Sequence, residues 1–207
     1  VCNTSSLSDT SNVLAGTMNP PAQCYCTQSS NYPYSYYISS FSTTLGVTNI
    51  TNNNTSYPPA GYSDYTSMSV SAVQTNSVDF SMTTNSGYVS RAIYVDWNQN
   101  GSFLDPGEMV YSSAYPNTSY SSTTVTGTIT VPFLAVPGPT RMRVRSGYYY
   151  YGMDPCNSLY YGEAEDYTFN VIELTPCTDP SISFPASAAA IGEPDTLCIT
   201  DPGNLDL

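Results

Sequence analysis

Along much of this chain apolar and polar residues alternate with a period of two. Val78, Phe80 and Met82 are separated by Asp79 and Ser81, the signature of a strand with one buried face. The run 89–95 predicts a central strand. Residues 34–41 mix aromatic with small polar side chains and also predict a strand. So do 109–112, 123–131, 140–146 and 163–174. Gly, Pro and Asn divide these segments. No stretch carries an apolar period of 3.6, so no long helix is expected. Short strands between turn residues predict an all-β fold: an Ig-like or jelly-roll-like antiparallel β-sandwich with extended ends.

The two ends read differently from the middle. Residues 1–23 are rich in Ser, Thr and Asn and read as an extended leader, leaving 24–174 as the sandwich and 175–207 as a tail. In the tail Ile182, Phe184 and Ala186 alternate as in a half-buried strand, yet too little chain follows to cover them. They are expected to be completed by something else, or to belong to a cut chain. The chain begins at Val1, as expected of a mature form after signal removal or of a fragment.

Composition narrows the partners. The net charge is −12, and the only bases are Arg91, Arg141, Arg143 and Arg145, with no Lys and no His. An acidic chain without Lys is a poor ligand for nucleic acid or an anionic membrane. No apolar run reaches the ~20 residues of a membrane helix. Without His or Lys, Ser–His and Cys–His catalysis has no base, and the chain is expected not to be an enzyme. Twenty Tyr with abundant Ser, Thr and Asn suit an extracellular or sugar-contacting surface.

One loop invites a cation. Asp96, Asn98 and Asn100 alternate before Gly101, and Ser102, Asp105 and Glu108 follow. Short oxygen side chains with a Gly that permits a sharp turn can wrap a hard cation, and one structural Ca²⁺ is expected here. An Asx-rich turn closed by its own side chains is the alternative. Arg141, Arg143 and Arg145 share one strand face, as do Glu163 and Glu165 on theirs, which predicts an Arg–carboxylate ladder. A hydrolytic carboxylate pair is the competing reading. The run Tyr148, Tyr149, Tyr150 and Tyr151 cannot all point inward, so some of these rings are candidates for stacking on a sugar or a neighbouring subunit.

Several of these stretches also occur together in a known order. Tyr25-Cys26, 61–66 (GYSDYT), 93–98 (IYVDWN), 101–108, 140–144 (TRMRV) and 162–167 (GEAEDY) resemble the GEVED domain, a β-sandwich module of secreted bacterial surface proteins. The namesake motif carries Ala164 in place of Val. The resemblance spans roughly 24–174 and implies an extracellular β-module more than an activity. It also implies a Cys26–Cys156 disulfide. The six cysteines suit an oxidising compartment, and Cys2–Cys24 and Cys177–Cys198 have similar spacings that would close local loops. The tail resembles the opening strands of an Ig-like repeat.

Asn3, Asn49, Asn53, Asn54, Asn100 and Asn117 begin N-x-S/T sequons. Thr10 and Thr196 lie in Asp-Thr-X triplets that resemble a bacterial O-glycan acceptor. The function expected is a secreted, glycosylated surface subunit that joins copies of itself head to tail through a terminal strand, with Ile182, Phe184 and the tyrosine run at the joint. The alternative is a calcium-dependent carbohydrate-binding or adhesion module.

Overall fold

The computed structural model describes residues 25–113, 121–148 and 153–175. Its ten strands all lie in the unit that ends at Glu173, and a second unit, Leu174–Leu207, is almost entirely outside the described residues. The strands are β1 (Ser30–Tyr32), β2 (Ile38–Thr44), β3 (Thr51–Asn53), β4 (Tyr62–Val73), β5 (Ser77–Thr84), β6 (Val89–Val95), β7 (Met109–Ser113), β8 (Thr123–Thr130), β9 (Gly138–Tyr148) and β10 (Leu159–Ile172). One sheet runs β1-β10-β9-β6-β7 with β4 also on β10; the other runs β3-β2-β5-β8. The fold is an all-β sandwich. Among the described residues no helix is long and apolar enough to cross a membrane.

Alternation becomes burial. On β5, Val78, Phe80, Met82 and Thr84 point inward, and the first three cluster with Met142 and Val144 of β9, Ile93 and Val95 of β6, and Tyr167, Phe169 and Val171 of β10 across the interlayer. At roughly 1.5–3 kcal/mol per large side chain removed from water, this layer is the main source of stability.

Two expectations change. Residues 34–41 do not form a continuous strand: Pro33–Ser35 make a 3-10 turn, and β2 starts only at Ile38. Pro33 fixes the backbone for the turn and supplies no N–H to a ladder. The main sheet is also not purely antiparallel, because β1 and β4 both pair parallel to β10. Parallel neighbours need a crossover, and the chain between β4 and β10 visits the second sheet through β5 and β8 before returning. The uneven pattern of β4, half-buried at most positions, explains why no strand is legible at 62–73.

Candidate functional site

β9 and β10 pair in register, with Arg145 opposite Ala164, Arg143 opposite Asp166 and Arg141 opposite Thr168. The arginines therefore share a face with Asp166, while Glu163 and Glu165 point the other way, into the interlayer. The expected ladder of Arg141, Arg143 and Arg145 with Glu163 and Glu165 is not what forms. Register decides the partner, because a one-residue offset reverses the face. Arg143 instead grips Asp166 with two nitrogens, Nε at 2.7 Å and Nη2 at 2.9 Å, and Arg141 adds a contact at 3.0 Å. Tyr62 donates its hydroxyl to the same carboxylate at 3.0 Å. Among the described residues Arg145 pairs with no carboxylate; it donates to Gln28 Oε1 and to the backbone carbonyls of Asp154 and Asn157. Burial, with Arg143 alongside, lowers its pKa to about 10.

This outer face is roofed by aromatic residues and a cross-link. The guanidinium of Arg141 lies 4.7 Å from the Tyr25 ring centre, and that of Arg143 lies 5.0 Å from Phe103. Tyr25 and Phe103 stack at 5.0 Å. The Cys26–Cys156 disulfide implied by the resemblance is present, and Arg143 also donates to the neighbouring carbonyl of Pro155. Cys2, Cys24, Cys177 and Cys198 lie outside the described residues, as do Asn3, Thr10, Asn117, Tyr149, Tyr150, Tyr151, Ile182, Phe184 and Thr196.

Inside the sandwich Glu163 and Glu165 are sealed from solvent. Glu163 Oε1 accepts the backbone N–H of Ile38 on the opposite sheet at 2.7 Å, while its Oε2 has no hydrogen bond among the described residues. Glu165 accepts the Tyr167 hydroxyl at 2.7 Å, and Tyr167 in turn accepts Asn52 Nδ2 at 2.8 Å. Burial raises both carboxyls, Glu163 well above the usual range with the Glu165 charge adding to it, and Glu165 to about 7. Arg91 occupies the matching row: it is opposite Ser146, which is opposite Glu163. Arg91 donates across to Thr84, the partner of Ile38 in the second sheet. Arg91, Thr84, Ile38, Glu163 and Ser146 thus close a ring that stitches one sheet to the other. Through these bonds the two acids tie one layer to the other. Asn52, Thr84 and Ser146 carry no sequence signal for this role.

The loop after β6 is closed largely on itself. Buried Asp96 accepts the Tyr25 hydroxyl at 2.8 Å and the Gly101 N–H at 2.9 Å on Oδ2, and the Asn100 N–H at 3.1 Å on Oδ1. Asn98 Oδ1 accepts the Asn100 N–H, Asn100 Oδ1 accepts the Ser102 N–H, and Ser102 Oγ accepts the Leu104 N–H. Asn100 Nδ2 donates to Asp105 Oδ2 at 2.8 Å. Gln99 and Gly101 hold positive φ, which lets the turn tighten. Among the described residues no three Asp, Glu or Cys side chains converge as a ready metal cage. Glu108 is the exception to self-closure: Oε2 accepts the Asp105 N–H at 3.3 Å and the Asn98 backbone also acts on the carboxyl, but among the described residues buried Oε1 makes no well-formed hydrogen bond. Burial pushes this carboxyl up to about 7, helped by the charges of Asp96 and Asp105. A buried carboxylate oxygen beside two acids fits a hard cation, and Asp96, Asn98, Asn100, Ser102, Asp105 and Glu108 are the residues that could hold it.

Asn49, Asn53 and Asn54 are exposed, and the Asn49 side chain is tied to Gly46 through both its oxygen and its nitrogen.

No curated protein matches the chain. Among solved structures it shares a partial likeness with a family 123 glycoside hydrolase from Clostridium perfringens, studied for glycolipid glycan hydrolysis. That likeness has 11% identity and a TM-score of 0.29, over 56% of this chain and 23% of that one. The chain thus spans under a quarter of that enzyme, and no activity carries over. Residues 90–170, from β6 through the loop and the arginine strand to the Glu163–Asp166 motif, match the family model of the GEVED domain, and the chain carries a domain of that family.

Proposed function

We propose that this chain is a non-catalytic structural subunit of an extracellular assembly, completed by a strand from another copy. The observation that carries this reading is the edge strand β8. It pairs with β5 on one side and with no strand on the other among the described residues, and its eight residues TTVTGTIT hold no charge and no proline. Natural edges are usually blunted by exactly those devices, and an edge left open is a template for strand addition. The tail residues 176–207, with Ile182 and Phe184 alternating, are the proposed donor. The Cys26–Cys156 disulfide and the GEVED domain support an oxidising, extracellular setting.

A chain ending at Thr175 is expected to stay monomeric by sedimentation and to regain assembly when a 176–207 peptide is added. Thr126→Lys on β8 is expected to block assembly of the full chain. Assembly of the truncated chain without peptide would remove the tail as the joint.

In the same reading the loop 96–108 is locked by calcium, which satisfies the poorly bonded Glu108 Oε1. Calcium at a hundred times its Kd then stabilises the fold by about 2.7 kcal/mol. Thermal melts in EDTA and in calcium measure this, and Glu108→Gln should abolish most of the difference. Identical midpoints in the two conditions would leave the loop as an Asx turn.

A further inference from the structure

Twenty tyrosines are more than the core uses. At one end of β10 a group of them forms a connected surface. β1 pairs parallel with the start of β10 and sets Tyr32 opposite Tyr161. The 3-10 turn that begins at Pro33 then carries Tyr34 back over the same place. Tyr32 lies edge-on to Tyr34 at 5.8 Å and tilted against Tyr160 at 4.9 Å, Tyr160 is edge-on to Tyr161 at 4.8 Å, and Tyr34 is edge-on to Tyr57 at 6.1 Å. Tyr36 packs behind Tyr161 at 5.6 Å. The front rings remain open to solvent: Tyr32 37%, Tyr34 51%, Tyr57 47% and Tyr160 50%.

Three features narrow what this surface meets. The rings hold one another in place, so binding freezes little further side-chain motion. The Tyr160 hydroxyl shares a hydrogen bond with Tyr32 and is raised by that bond and by Tyr32, Tyr161 and Tyr34 as neighbours. Arg91, Arg143 and Arg145 are buried, and Arg141, the one base with appreciable exposed side chain, is paired with Asp166. A chain of net charge −12 with no free base at the patch repels anionic polymers. A neutral ligand with flat C–H faces for the rings and hydroxyls for the phenol tips is complementary to such a surface, since a tyrosine ring has an apolar body and a polar end.

We infer that the tyrosine surface formed by Tyr32, Tyr34, Tyr57 and Tyr160 is a binding site for neutral, pyranose-based polysaccharide. The site is separate from the proposed strand-addition edge on β8, so either can fail alone. The test uses the full chain in affinity electrophoresis against laminarin, yeast mannan and xylan, and in pull-down on cellulose, with alginate as the anionic control. Retention by at least one neutral polymer and none by alginate is expected. Tyr34→Ala/Tyr160→Ala should weaken that retention about ten-fold or more without shifting the melting midpoint, since both rings are half exposed. Tyr34→Phe/Tyr160→Phe should retain part of it, because stacking survives the loss of the hydroxyls. No retention on any neutral polymer, or retention that the Ala pair leaves unchanged, overturns the site. So does an Ala pair whose only effect is to dissociate an oligomer, which would make the surface a contact between copies.

Discussion

Replacing Cys26 and Cys156 together by Ser is expected to cost about 5 kcal/mol of unfolding free energy. The two residues are 130 apart in sequence, and closing so long a loop removes much of the unfolded chain's freedom. The bond also fixes a local arrangement. Cys26 follows Tyr25, whose hydroxyl caps Asp96 and whose ring covers Arg141. Cys156 follows Pro155, whose carbonyl takes Arg143. Losing the link should therefore loosen the roof over the arginine face as well as free the unfolded ensemble. Urea unfolding of the wild type and the double Ser variant measures the effect. A change too small to detect would mean that the unfolded chain is already compact without the link.

Stability should also fall as pH rises from 5 to 8, and Glu163→Gln/Glu165→Gln should remove most of that fall. A carboxyl whose folded pKa lies above its unfolded value favours the folded state fully below the unfolded value and loses that contribution as pH rises through the folded one. For Glu165 the window runs from 4.5 to about 7, worth on the order of 3 kcal/mol once pH exceeds it. Glu163 is raised further and extends the window upward. Gln keeps an acceptor for the Ile38 N–H and the Tyr167 hydroxyl, so the substitution tests charge rather than shape. Glu108 titrates in the same range, and the difference between wild type and the double variant cancels its contribution. Wild-type stability that rises from pH 5 to 8, or a double variant with the same slope, would mean that the interior holds both acids ionised.

The sequence by itself determined the class of fold. Period-two alternation at Val78, Phe80 and Met82 and the apolar run into Val95 are direct images of a pleated strand with a buried face, so β5 and β6 were legible within a residue or two. The loop 96–108 was legible as an oxygen-rich turn because its geometry is local: each Asx side chain bonds a backbone N–H two to five residues on. The family motifs were legible as an ordered set of words. What those words do was not. GEAED reads as a row of acids that should meet the arginines. The β9–β10 register sends Asp166 to the arginines and buries Glu163 and Glu165 against the other sheet. One residue of slip exchanges those roles, and nothing within either strand encodes the slip. The parallel placement of β1 and β4 on β10 was likewise invisible, since it depends on where the chain returns after visiting the second sheet. The tyrosine surface lay hidden for the same reason: its rings come from residues 32, 34, 57 and 160, and the pairing of β1 with β10 is what sets Tyr32 and Tyr34 beside Tyr160. Local chemistry is written in neighbouring residues, whereas partner choice across strands is settled by the packing of the whole sandwich.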